Sequence, residues 1–139
     1  MAADIHHLHE KSGDSEKITI NLGFVDLGHI DLLVREGFYS NRTDFIRTAI
    51  RNQLASHADA LRQSILRNTF ELGLRRLSRQ ELEAVKAKGE RLRIQVVGLA
   101  TIDDDVTPEL ALDTIESITA LGAIRAGKDV KAALAGRIR

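Results

Sequence analysis

Residues 17–54, KITINLGFVDLGHIDLLVREGFYSNRTDFIRTAIRNQL, decide how this chain folds. The stretch opens with Ile18, Ile20 and Leu22 alternating with Lys17, Thr19 and Asn21. Side chains of a strand point to opposite faces with period two, so this pattern predicts a strand with one aliphatic and one polar face. Such a strand is too short and one-sided to stand alone. Its unpaired N–H and C=O groups invite another chain. Pairing with the same strand of a second copy would satisfy the backbone and turn the aliphatic side onto the helices expected after it.

Two helices are expected next. Leu27, Ile30, Leu33 and Val34 recur at helical spacing, with Asp26 before them as the expected N-cap and Gly37 as the stop. After Phe38, Tyr39 and Ser40 comes Asn41-Arg42-Thr43-Asp44, a cap followed three residues later by a carboxylate, which opens a second helix. That helix is expected to bury Phe45, Ile46, Ala49, Ile50 and Leu54 and to run on to about residue 68. Its start combines free N–H groups, Arg42 and the positive end of the helix dipole, a combination suited to phosphate. The outer face of a paired strand would carry Lys17, Thr19 and Asn21 twice, on a two-stranded ribbon that the major groove of B-DNA is wide enough to admit.

With KITINL and GFYSNRTDFIRTAIR in this order, the stretch resembles a ribbon-helix-helix DNA-binding domain of the CopG type. The resemblance implies an intertwined dimer with core residues Ile18, Ile20, Leu22, Ile30, Leu33, Phe45, Ile46, Ala49 and Ile50. It further implies base reading by Lys17, Thr19 and Asn21, and phosphate contacts at Asn41, Arg42 and Thr43. The implied function is a sequence-specific regulator of transcription, a repressor, with double-stranded DNA and its own second copy as partners. Phe38 and Tyr39 are expected to close the turn between the helices against the core. Three other uses of the same module stay open: dimerisation without DNA, an autoregulating antitoxin of a toxin–antitoxin pair, and a scaffold or assembly protein.

Charge distribution qualifies that picture. The chain has 20 basic and 20 acidic residues, so its net charge is zero. Residues 62–93 hold nine Lys/Arg against four Glu, whereas residues 17–54 hold five bases against four acids. Nonspecific affinity scales with neutralised phosphates, so one dimer of this composition is expected to bind weakly and with marked salt sensitivity.

Beyond residue 68 a second pattern emerges. Ile94, Gly98, Asp105, Val106 and Leu110 recur 24 residues later as Ile118, Gly122, Asp129, Val130 and Leu134. A fainter earlier copy is placed at Phe70, Leu72 and Leu74, again 24 before Ile94, Val96 and Gly98. Each unit reads as a strand and a short helix, with Ser78 and Thr107 as caps, Pro108 in a first helical position and Gly89 as a stop. Short crossovers of this kind favour parallel strands, and a period of this size suggests stacked units. The alternative is an ordinary small α/β domain. The expected fold class is therefore α+β: leader 1–16, ribbon-helix-helix domain 17–68, and a βα-repeat oligomerisation or regulatory domain 69–139.

Other chemistries find little support. Cysteine is absent, which removes disulfides and thiolate nucleophiles and fits a cytoplasmic, nucleoid-associated protein. Some regulators of the resembled type sense metals through His and Cys in a C-terminal domain, but here the last histidine is His57. His6, His7 and His9 cluster without other good ligands, and Asp103-Asp104-Asp105 lacks the spacing of a calcium loop, so no metal is expected. Those three acids are expected to end a strand and favour the start of the helix at Pro108. No catalytic constellation, cofactor fingerprint, membrane span or signal peptide is recognised.

Overall fold

The computed structural model describes residues 15–139, which divide into two compact units with the boundary after Ala60. The leader expected over 1–16, with His6, His7 and His9, lies almost wholly outside the described residues.

In the first unit residues 15–23 belong to no helix or strand, and two helices come after them, α1 (Phe24–Arg35) and α2 (Arg42–Ser56). A strand needs a neighbour, and no described residue pairs with residues 17–22. Helix α1 begins earlier than expected: Gly23 is the N-cap, its carbonyl accepting from Leu27 N–H at 3.0 Å, and Asp26 falls in the first turn. There Asp26 still favours the positive end of the helix dipole. The stop is at Gly37, whose φ of 86° lets its N–H reach Val34 O and lets Phe38 N–H reach Leu33 O. This left-handed closure satisfies carbonyls that would otherwise be orphaned.

Helix α2 does not continue to residue 68. It stops at His57, and a separate helix, α3 (Ala58–Arg67), begins at once. The Ser56 hydroxyl donates to Gln53 O at 2.6 Å, and His57 leaves helical geometry at φ −105° and ψ 10°. A hydroxyl that bonds back to the preceding turn competes with the helical ladder, which accounts for a break without Gly or Pro.

The second unit is a three-stranded parallel sheet, β1 (Glu71–Leu77), β2 (Leu92–Ile102) and β3 (Ile115–Arg125), in the order β1-β2-β3. Parallel neighbours require crossovers, supplied by α4 (Arg79–Ala87) and α5 (Pro108–Thr114), and α6 (Lys128–Ala133) comes after β3. The helices start where their caps demand. Ser78 Oγ accepts from Glu81 N–H, and Thr107 Oγ1 accepts from Leu110 N–H ahead of Pro108 at the first turn. The core gathers Leu77, Val96, Ile115 and Ile118 of the sheet with Leu82, Ala111 and Leu134 of the helical side.

Register is set by a row of glycines. Gly73 pairs with Gly98 and Gly98 with Gly122, all at strongly positive φ (109°, 140° and 126°). A Cβ on Gly98 would lie 2.9 Å from the Gly73 carbonyl carbon and closer still to its oxygen, and Gly122 stands in the same relation to Gly98. Only glycine fits a backbone approach this close. The row also corrects the expected spacing. Between β2 and β3 the offset is 24, but between β1 and β2 it is 25, so Leu72 faces Val97 and Leu74 faces Leu99. A 24-residue offset would set Gly98 beside Leu74 and break the row.

Strand β2 ends at Ile102, directly before the three acids, as expected, but one of them has a different partner. Asp103 closes a bidentate pair with Arg76 (Nε–Oδ1 2.8 Å, Nη2–Oδ2 2.6 Å) rather than serving the helix start at Pro108. A guanidinium fork matches a carboxylate better than a dipole end does. Among the described residues no helix is long and apolar enough to cross a membrane.

Candidate nucleic-acid interface

The candidate interface lies in the first unit, which leaves its apolar side unfinished. Helix α2 has fifteen residues and buries none of them; α1 buries only Ile30. Leu33, Phe45 and Ile46 are half-buried, and Ala49, Ile50 and, against expectation, Leu54 are exposed. Ile20, Leu22, Ile30, Leu33, Phe45, Ile46, Ala49 and Ile50 line an open apolar groove of about 440 Å³, bordered by Asp26 and His29. Ile18 and Ile20 are 76% and 62% exposed. The expected aliphatic face of residues 17–22 is thus solvent-exposed in one chain, alongside a groove made of the expected core residues. Lys17, Thr19 and Asn21 are exposed as well.

The turn between the helices is tightly built. Asn41 Oδ1 accepts from Asp44 N–H at 2.8 Å, and Asp44 Oδ2 accepts from Ser40 N–H at 3.0 Å, one residue before the cap that a capping box would engage. Tyr39 meets Phe45 edge-on with ring centroids 5.0 Å apart. Phe38 does not share that packing: it is 70% exposed. The closure at Gly37 turns the chain there and leaves the Phe38 ring on the surface of the single chain.

Arg42 is already engaged. Its Nε donates to Asp31 Oδ1 at 2.7 Å and its Nη2 to Asp31 Oδ2 at 2.8 Å, tying the start of α2 to α1. These hydrogen bonds, with the Coulomb attraction behind them, hold the Asp31 carboxyl below its ordinary range and push the guanidinium further up. Two of the five guanidinium N–H groups are used, leaving others to donate to an anion. Asp31 was not legible as a site residue, since no helical spacing rule links residues eleven apart across a turn. Among the described residues no cluster of three or more His, Asp or Glu side chains could hold a metal.

The model of the ribbon-helix-helix transcriptional regulator family matches residues 13–131. The chain belongs to that family. The match extends well past the stretch that carries the resemblance and takes in most of the sheet unit. No curated protein matches the chain, and no solved structure does. As a ribbon-helix-helix regulator it is a DNA-binding transcriptional regulator, and regulators of this family dimerise.

Proposed function

We propose that the protein is a sequence-specific repressor that binds the major groove as a dimer. Residues 17–22 of two copies pair into a two-stranded ribbon. Ile18, Ile20 and Leu22 turn inward onto Ile30, Leu33, Phe45, Ile46, Ala49 and Ile50, while Lys17, Thr19 and Asn21 face the bases. Asn41, Arg42 and Thr43 at the start of α2 bind phosphate, with Arg42 held in place by Asp31. The observation that carries this reading is the half-built core: an alternating segment with bare aliphatic side chains beside an open apolar groove. One partner, a second copy of the same segment, fills the groove and pairs the backbone together.

The supporting experiment is a titration of the purified protein against the DNA upstream of its own gene at two salt concentrations. Repression requires tight binding to that or another defined site, weakening steeply with salt. Equal affinity for every duplex would remove the claim of sequence specificity. An antitoxin of this fold is disfavoured, because residues 71–125 form a packed sheet rather than a free segment for wrapping a toxin. A scaffold role without DNA would leave Arg42 and the ribbon face indifferent to substitution in the same titration. The place of action under this reading is the cytoplasm, on the DNA of the nucleoid.

A further inference from the structure

The sheet of the second unit is packed on one side only. Val96, Ala100 and Ile118 are buried there against Leu82, Ala111 and Leu134 of the helical layer. The positions that alternate with them form two rungs on the other side, Leu72-Val97-Leu121 and Leu74-Leu99-Ala123. Leu72, Leu74 and Leu121 are 74%, 69% and 55% exposed. Parallel sheets are ordinarily covered on both faces, so an apolar block of this kind marks a surface that binds protein. The rungs beyond it are polar. Gln95 and Thr119 stand at one end of the block, and Arg76, Thr101 and Arg125 at the other.

We infer that this face packs on the same face of the second copy in the dimer, with the strands of the two sheets antiparallel. Area argues for that occupant. At usual strand spacings four rungs across three strands span about 400 Å² of sheet per copy, too little for a free-standing interface. A copy already held by the family's dimer needs less, because linkage raises its effective concentration. Residues 1–14 are a poor substitute, with Met1, Ile5 and Leu8 as their large apolar side chains. Charge sets the direction. A two-fold axis along the row Gly73-Gly98-Gly122 lays Val97 of each copy on Leu99 of the other, Leu72 on Leu74 and Leu121 on Ala123. It also sets Thr101 opposite Gln95 and Arg125 opposite Thr119, so polar groups meet polar groups. The parallel alternative would stack Arg76 on Arg125 twice, cation on cation. The inference rests on dimerisation and not on what residues 17–22 contact.

The chain has no cysteine, so introduced ones report the contact directly. Full-length Val97→Cys and Leu99→Cys chains, co-expressed and mildly oxidised, should give a two-chain band on a non-reducing gel. Facing residues of two packed sheets can be bridged in this way. Each variant alone should link several times less, because like positions lie on a diagonal. Gln80→Cys with Ala84→Cys, exposed on α4, should not link. Leu74→Asp is the second probe. In a single chain its side chain lies in water, so the fold is kept, whereas in the pair the carboxylate is pressed on leucine. Sedimentation equilibrium of the full-length variant should give a dimer dissociation constant raised by roughly tenfold or more. Efficient linking of Leu99→Cys by itself would establish parallel strands and overturn the arrangement. Equal dissociation constants for wild type and Leu74→Asp, with no cross-chain band, would overturn the pairing and leave the ribbon untouched. A wild-type tetramer that falls to a dimer in Leu74→Asp would overturn the choice of the tethered copy.

Discussion

Arg42 and Asp31 form a bidentate ion pair, Nε to Oδ1 at 2.7 Å and Nη2 to Oδ2 at 2.8 Å, that bridges the two helices of the first unit. Both side chains are about half exposed, so the pair contributes little to stability by itself. Its importance is positional. It fixes a cation at the start of α2 and sets a negative charge beside the place proposed for a DNA phosphate.

Asp31→Asn should therefore tighten DNA binding for all sequences alike, by roughly threefold, within the range of an exposed charge interaction. Arg42→Ala should weaken all sequences alike and lower the salt slope by about one counterion. Fluorescence anisotropy over a salt series measures both. Weaker binding by Asp31→Asn would mean that holding the guanidinium matters more than the repulsion.

Base reading should respond differently. Thr19→Ala or Asn21→Ala should cut the preference for the cognate site by about 1–3 kcal/mol while leaving binding to random duplex nearly unchanged. Competition titrations with specific and random DNA separate the two. Uniform loss for every sequence would assign these side chains to the backbone instead.

Acid should weaken the fold through three carboxylates. Hydrogen bonds from Arg42, Arg76 and Arg93 hold Asp31, Asp103 and Glu116 below the ordinary carboxylate range. A depressed folded value means the unfolded chain binds more protons, so the contribution is complete above about pH 4 and is lost as pH falls through the folded values. Urea midpoints at about pH 6 and about pH 3 should differ, and less so in Asp103→Asn. An unchanged difference in that variant would show that the Arg76 pair contributes nothing to it.

The glycine row gives the largest stability prediction. Gly98→Ala forces a Cβ into the Gly73 carbonyl at a backbone angle that L residues avoid, and should cost roughly 3 kcal/mol. Gly28→Ala, mid-helix on α1 with nothing within 4 Å, should instead stabilise by about 0.5–1 kcal/mol. Urea denaturation of both variants checks the contrast. A Gly98→Ala protein as stable as wild type would mean that the strands do not approach this closely.

Local signals were legible where one residue type decides the backbone. Gly37, Ser78, Thr107 and Pro108 mark helix ends, and each ends or starts one where expected. Asp26 misled because a capping side chain and a first-turn carboxylate look alike in sequence, and Gly23 took the cap. The break at His57 was hidden since Ser56 is an ordinary helix residue until its hydroxyl turns back. The 24-residue spacing of Ile94 and Ile118 equals the offset between β2 and β3, whereas that of Leu72 and Val96 is one short of the offset between β1 and β2, because a recurrence of Leu and Val constrains spacing less than a carbonyl pressed on glycine. Long-range polar partners were beyond reach. Arg42 with Asp31, Arg76 with Asp103, and Arg137 capping the carbonyls of Leu112 and Ile115 join residues that only the fold brings together.

Whether residues 17–22 become a strand shared by two copies is tested most directly by amide hydrogen exchange at Ile18–Leu22 as a function of protein concentration. Pairing predicts slow exchange at high concentration that speeds up on dilution through the dimer dissociation range. Exchange as fast as in an unstructured peptide at every concentration would contradict it, because two copies would then form no ribbon to enter the groove.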